Sequence, residues 1–287
     1  MNYRHAFHAG NFADVFKHAA LALIIEYLKR KPGPFAVIDT HAGLGRYDLA
    51  APEAEKTGEW RQGIGRLWAS EARPPGVATL LGAVAGANGG STAAPRWYPG
   101  SPRIARSLLR KRDRLWCADL HPDDARALAR EFRGDAQVVV RQMDGYQALR
   151  AWLPPAEKRG VVLVDPPFEQ RDEFKFLLKG LKDGARRFET GIFVLWYPIK
   201  DRSPVEAFHQ ALGTSGLKRI LVAELLLRAP TDPTRLNGCG LVMVNPPWRL
   251  DSDLALLAAG LRAVFNESGA ALNPSGKTNA IRWLVGE

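Results

Sequence analysis

Residues 161–168, Val-Val-Leu-Val-Asp-Pro-Pro-Phe, set a carboxylate, a proline pair and an aromatic ring directly behind four apolar residues. That order suits one kind of chemistry. An amine conjugated to an aromatic ring is a poor nucleophile, because its lone pair is delocalised. A carboxylate at Asp165 and the carbonyl of Pro166 can accept its two N–H bonds, which returns electron density to nitrogen and aims the lone pair. Two prolines hold that carbonyl rigid, since each fixes φ and neither donates an N–H. Phe168 offers a face for a splayed-out base, an interaction worth about 1–3 kcal/mol. Positioning and preorganised electrostatics would carry most of the catalysis. The plainer reading is a strand that ends in a Pro-Pro turn.

Three more loops weigh against the plainer reading, because ligands in open α/β sheets bind where strands end. Asp39-Thr40-His41-Ala42-Gly43-Leu44-Gly45 is a glycine-bearing turn that lets a ligand approach the backbone, though it lacks the full dinucleotide fingerprint. Asp119 closes an apolar run and can accept both hydroxyls of a ribose, as NAD or S-adenosylmethionine would require. Asp144-Gly145 is placed to meet an adenine amine. Taken singly, either acid reads equally well as a helix cap.

A second copy of the pattern, Asn245-Pro246-Pro247-Trp248, follows the run 240–244. Order separates the two. Asp119, Asp144 and Asp165 succeed one another at βα-unit spacing, whereas Asn245 arrives two strands later, where a last antiparallel strand is expected. Asp165 is therefore the expected catalytic residue and Asn245 a structural or near-site one. The N-terminus concentrates further polar residues: Tyr3, Arg4, His5, His8 and Asn11, then Asp14, Lys17 and His18. A zinc site from His5, His8 and His18 lacks a clear fourth ligand. A lid over cofactor and substrate fits better, with Lys17 or His18 touching the cofactor.

These residues need a frame to hold them. Asn11 reads as an N-cap with Asp14 in capping-box position, opening a helix that runs to about Lys31 and stops at Pro32-Gly33-Pro34. Strands are expected at 35–39, 114–119, 137–141, 161–165, 191–197, 218–225 and 240–245, with 280–285 as a last candidate. Helical stretches such as 123–132 and 170–180 lie between most of them. Alternation of this kind predicts an α/β fold with a mostly parallel, seven-stranded sheet. About 70 residues separate the glycine turn from the strand at 114, where one crossover helix would suffice. Residues 47–100 are read as an inserted, mainly helical subdomain with a loose, flexible-looking run at 82–94, leaving 1–46 and 101–287 as the main domain.

The chain has 287 residues with 40 Lys+Arg against 30 Asp+Glu, a net charge of +10, which suits a polyanionic partner. Charge clusters at 29–31, along Arg103/Arg106/Arg110 with Lys111, Arg112 and Arg114, and along Lys175/Lys179/Lys182/Arg186/Arg187. At helical spacing Arg103, Arg106 and Arg110 share one face. Cys117 and Cys239 make neither a disulfide framework nor a zinc spacing. Apolar runs stay far below the roughly 20 residues that span a bilayer. A cytoplasmic protein without membrane attachment is expected.

The run 3–18, Tyr-Arg-His-x-Phe-His-Ala-Gly-Asn-x-Ala-Asp-Val-x-Lys-His, resembles the opening of the bacterial 23S rRNA (adenine(2030)-N6)-methyltransferase family. So do Asp39 to Gly43 with Gly45-Arg46-Tyr47, Tyr98-Pro99-Gly100-Ser101-Pro102, Asp165-Pro166-Pro167 and Leu195-Trp196-Tyr197-Pro198. The likeness extends from residue 3 to about 285. It implies a Rossmann-like, class I S-adenosylmethionine-dependent methyltransferase fold with a helical insert, acting as a monomer on 23S rRNA without a metal. Carried over by position, His18, His41, Ser101, Asp119, Asp144, Gly145 and Asp165 would contact S-adenosylmethionine or the target amine. Tyr3, Pro166 and Phe168 would meet the substrate. Asp119 stands where the family has Glu, and Phe168 where Tyr is usual. The alternatives are a DNA adenine-N6 methyltransferase, an RNA-binding protein with a vestigial cofactor site, and an NAD-dependent oxidoreductase.

Overall fold

The computed structural model describes residues 4–91, 93–265 and 281–286. A 3-10 turn, His5–Phe7, leads into α1 (Phe12–Lys29), β1 (Ala36–Asp39) and the short strand β2 (Arg46–Asp48). The helices α2 (Pro52–Thr57), α3 (Arg66–Ala69) and α4 (Val77–Ala87) follow, with a π-helical stretch at Arg61–Gly65, before β3 (Trp97–Pro99). Then come α5 (Ser101–Leu108), β4 (Arg114–Asp119), α6 (Pro122–Glu131), β5 (Val138–Gln142), α7 (Gly145–Trp152) and β6 (Gly160–Val164). The chain continues through α8 (Glu173–Arg187), β7 (Ile192–Ile199), α9 (Arg202–Gly213), β8 (Ile220–Leu226), β9 (Gly238–Val244), α10 (Leu250–Phe265) and β10 (Arg282–Val285).

The long strands form one sheet in the order β10-β8-β9-β7-β6-β1-β4-β5. Six strands point one way, and β9 and β10 run against them. The expected seven strands become eight, because the last candidate does form and pairs antiparallel with β8 at the sheet edge. β1 and β6 are apolar at nearly every position because helices cover both faces. Alternate residues feed two cores. Val37, Val161, Leu163 and Val194 pack under α1 and α10. Ile38, Val162, Val164 and Leu195 pack toward α7, α8 and α9. Among the described residues no helix is long and apolar enough to cross a membrane.

Two expectations need correction. The helix expected at 170–180 runs on to Arg187, because Gly180 and Gly184 are packing residues and not stops. A Cβ on Gly180 would lie 2.7 Å from the Tyr146 ring, and one on Gly184 would lie 2.9 Å from the Phe193 ring. Their bareness lets α8 press against α7 and the sheet. The loose run at 82–94 is helical in its first part, since 77–87 form α4. After it, the Asn88 side chain bonds the Val84 and Trp97 carbonyls and the Arg96 and Trp97 amides, all at 2.8–3.0 Å. β2 and β3 pair antiparallel, so the chain leaves and rejoins the main sheet at one point. Ile64 and Leu67 are fully buried, with Trp60 and Trp68 packed against the same core.

Candidate active site

Parallel strands deliver their C-terminal residues to one edge, and β1, β4 and β6 end there with Asp39, Asp119 and Asp165 nearby. Asp144 follows β5 at the same edge. Opposite Asp165 stands α1. Asn11 caps this helix as expected, its side-chain oxygen accepting from the Ala13 and Asp14 amides at 3.0 Å each. The reciprocal bond of the capping box shifts by one residue: Asp14 Oδ2 accepts from the Gly10 amide at 2.9 Å. His5 Nε2 sits 2.9 Å from the same oxygen. One turn on, Lys17 Nζ donates to Asp14 Oδ1 at 2.8 Å and to Asp165 Oδ2.

Lys17 thus ties the loop after β6 to the helix, with both it and Asp14 almost wholly buried. Burial works against the Asp14 carboxylate, yet its partners His5 and Lys17 hold it well below the usual range. Burial likewise opposes the Lys17 ammonium, and the two carboxylates overcome it and hold it well above its ordinary value. A buried charge is tolerated only when paired in this way. The pairing leaves the other Asp165 oxygen for a ligand. Pro166 is buried beside it, and Phe168 takes φ +52°. A left-handed backbone costs a non-glycine residue about 1–2 kcal/mol. The ring is held edge-on against Phe174 at 5.1 Å and Trp196 at 5.8 Å.

The remaining expected residues surround Asp39. Burial pushes its carboxyl up to about 7, against the pull of the Ser101 hydroxyl, and the nearby Asp165 charge adds to the rise. His41 is brought down to about 4 by burial, with Asp165 and Asp144 close enough to oppose that. The His41 ring bonds the Thr40 hydroxyl at 2.9 Å and meets the Tyr146 ring edge-on. Asp119 spends both oxygens on the backbone, accepting from Gly43 and His121 amides at 2.8 Å, so it also shapes the glycine turn. Asp144 caps α7 through the Gln147 amide at 2.8 Å. Asp144 is thus a helix cap, and Asp119 a brace between the glycine turn and the turn before α6. A Cβ on Gly145 would lie 2.4 Å from the Thr40 carbonyl oxygen and 2.6 Å from His41, so only glycine lets these loops meet.

His18 is fully buried, bonded through Nδ1 to the Tyr98 hydroxyl at 2.7 Å. Burial, with Lys17 beside it, drops its pKa to about 3, so the ring is neutral. Its Nε2 and Asp39 Oδ2 are buried polar atoms with no hydrogen-bond partner. Buried polar atoms are normally satisfied, so this pair marks a place for a ligand's polar groups. Acids at Asp39, Asp119 and Asp144 with a neutral imidazole suit the hydroxyls, amines and sulfonium charge of S-adenosylmethionine, so the residues fit the expected cofactor.

Asn245 is elsewhere. Because β9 is antiparallel, its end lies at the opposite edge of the sheet, where the Asn245 amide holds the Glu189 and Gly191 carbonyls at 2.7 and 3.0 Å. Its role there is structural. His5, His8 and His18 do not converge; they turn to Asp14, Glu59 and Tyr98. Lys17, expected with His18 as the alternative to touch the cofactor, bonds Asp14 and Asp165. Tyr3 lies outside the described residues. Sequence reasoning missed Asp14 as an anchor and Tyr98 as the partner of His18. The available signal was Asp14, Lys17 and His18 at i, i+3 and i+4 in an otherwise apolar helix. The expected arginine face is cut short, because α5 ends at Leu108 and Arg110 lies beyond it, and all three arginines are in internal pairs. Arg103 pairs with Glu131, Arg106 with Asp135, and Arg110 with Asp113 and three backbone carbonyls.

The sequence profile of a family described as "Ribosomal RNA large subunit methyltransferase D, RlmJ" matches residues 32–273. Ribosomal RNA large subunit methyltransferase J of Escherichia coli (strain K12) is 40% identical over 288 residues, spanning the whole of both chains. The protein of the same name from Haemophilus influenzae (strain ATCC 51907 / DSM 11121 / KW20 / Rd) is 42% identical over 254 residues, 88% of this chain and 90% of its own. Among solved structures, protein LPL1258 from Legionella pneumophila str. Philadelphia 1 superposes with a TM-score of 0.83 at 33% identity, covering 93% of this chain and 100% of that one.

Proposed function

The chain belongs to the RlmJ family of ribosomal RNA large subunit methyltransferases, and we propose that it methylates N6 of one adenine, the 2030-type position, in 23S rRNA. The observation that carries the reading is Asp165-Pro166-Pro167-Phe168 at the end of β6, with one Asp165 oxygen held by Lys17. S-adenosylmethionine, bound by His18, His41, Ser101, Asp119, Asp144 and Gly145, supplies an electrophilic methyl on sulfur. Asp165 and the Pro166 carbonyl accept the two N–H bonds of the adenine amine and turn its lone pair outward. Phe168, stiffened by Phe174 and Trp196, supports the base, which must leave its stack to arrive there. The proton released by the amine is taken up at Asp165 or by water beyond it. In this reading residues 47–100 are an inserted helical subdomain beside the methyltransferase domain, and the N-terminal motif and helix, residues 1–31, serve as the substrate and cofactor lid. The protein acts in the cytoplasm as a monomer.

The test is transfer of labelled methyl from S-adenosylmethionine to unmodified, protein-free 23S rRNA, with duplex DNA alongside. The expected product is N6-methyladenosine at a single rRNA position. Label on DNA alone moves the activity to the DNA reading. Cofactor binding without transfer to either overturns the assignment and favours a vestigial site.

A further inference from the structure

α8 begins five residues after Phe168, and its Phe174 ring supports Phe168. Its inner face is buried at Glu173, Leu177, Gly180, Leu181, Gly184 and Ala185. Directly opposite, Lys175, Lys179, Lys182 and Arg186 are exposed, and Arg171 continues the line toward the catalytic loop. Steps of four, four, three and four residues keep them in one stripe. The stripe carries one sign. Asp172 and Asp183 sit at its flanks, pairing with Lys175 and Arg186 at 2.7 Å, and Asp183 is shared with Arg150 at 3.2 Å. No carboxylate among the described residues pairs with Lys179 or Lys182. An ordinary solvated face mixes signs, as α6 does with Asp123, Asp124, Arg126 and Glu131. Arg103 and Arg106 of α5, and Arg110 after it, are by contrast engaged in internal ion pairs.

An aromatic row meets the stripe. Phe176 is 39% exposed; its ring lies 6.3 Å from Tyr146, which in turn abuts His41 of the cofactor loop. We infer that the outer face of α8 is the track for the RNA strand flanking the target base, its phosphates on Lys175, Lys179 and Lys182 and a neighbouring base on Phe176. This rests on the protein being an RNA methyltransferase. One-signed charge leading away from a base-binding loop, with an exposed ring beside it, is the pattern of a single-strand channel. Each phosphate contact releases counterions, so the contribution is read from salt dependence.

The experiment compares the wild type with the triple variant Lys175→Gln/Lys179→Gln/Lys182→Gln on unmodified 23S rRNA transcript. A control triple, Lys111→Gln/Arg112→Gln/Arg133→Gln, removes the same charge away from α8. S-adenosylmethionine binding and melting temperature confirm that both variants fold. The α8 triple is expected to raise KM for RNA about tenfold at about 0.1 M salt, with kcat within about twofold. The slope of log affinity against log salt should shrink by about 2, three contacts at roughly 0.7 each. Unchanged KM and slope in the α8 triple, or equal losses in both triples, overturn the track while leaving the methyltransferase reading intact. A wild type that neither binds nor methylates RNA overturns both.

Discussion

The Lys17–Asp165 pair decides what the carboxylate proposed as catalytic can do. With one oxygen on the ammonium, Asp165 presents the other in a fixed direction, and a fixed acceptor lowers the barrier more than a mobile one. Asp165→Asn keeps the shape, loses the anion, and turns one acceptor oxygen into a donor amide. We expect kcat to fall by at least about 10²–10³-fold, with cofactor affinity within about threefold by calorimetry. A variant that keeps near-normal turnover would mean another group holds the amine. The Asp165-Pro166-Pro167-Phe168 run was legible in the sequence because its residues are contiguous, and its second copy at Asn245 was set apart by strand order, since β9 is antiparallel and ends at the opposite edge. Its restraint by Lys17 was not legible: the two residues are 148 apart, and only the packing of α1 against the sheet edge unites them. The backbone bonds of Asp119 to the glycine turn were equally hidden, since its partner Gly43 is 76 residues away.

Loops and helix starts meet with little clearance, and Gly145 is where the tolerance is smallest. Gly145→Ala would drive a methyl into the Thr40 carbonyl and the His41 ring. The predicted outcome is a stability loss of about 1–3 kcal/mol in urea denaturation and at least tenfold weaker S-adenosylmethionine binding. Normal cofactor affinity in a stable variant would show that this junction does not shape the cofactor site. At this scale the strands were the most legible elements, because Val- and Ile-rich runs buried on both faces leave a continuous apolar signal. Helix ends were harder. Gly180 has the look of a terminator, yet it serves close packing against Tyr146, and a one-dimensional reading cannot separate the two uses. The arginines at 103, 106 and 110 misled for a related reason: the helix stops at Leu108, and their acids lie on α6 and in the turns after it and before β4, where only the fold brings them together.

Across the whole molecule, several burials bias stability with pH. Burial lowers His18 to about 3 and His41 and His209 to about 4, so each stays neutral in the fold while the unfolded chain takes up a proton near 6.5. Their stabilisation is complete above about pH 6.5 and drains away as pH falls toward 4. Asp39, raised to about 7 by burial, acts in the opposite sense, favouring the fold as pH drops from 7 to about 4. Asp119 and Glu173, raised by burial, and His8, raised by Glu59, act with Asp39. Asp14 and Glu59, lowered by their partners against burial, act with the three histidines. With the three histidine shifts among the largest, the melting temperature should be lower at pH 4.5 than at pH 7. A flat or rising profile would show that the histidines gain protons without loss of structure. The β2–β3 ribbon has a different consequence. By clasping both ends of the intervening segment, it makes the stretch between α4 and β3 a graft point. Doubling a flexible loop costs only about 0.6 kcal/mol of closure entropy, and the ribbon keeps any change in contour length from reaching the sheet. A tag or reporter domain spliced in there would ride on the enzyme as a pendant.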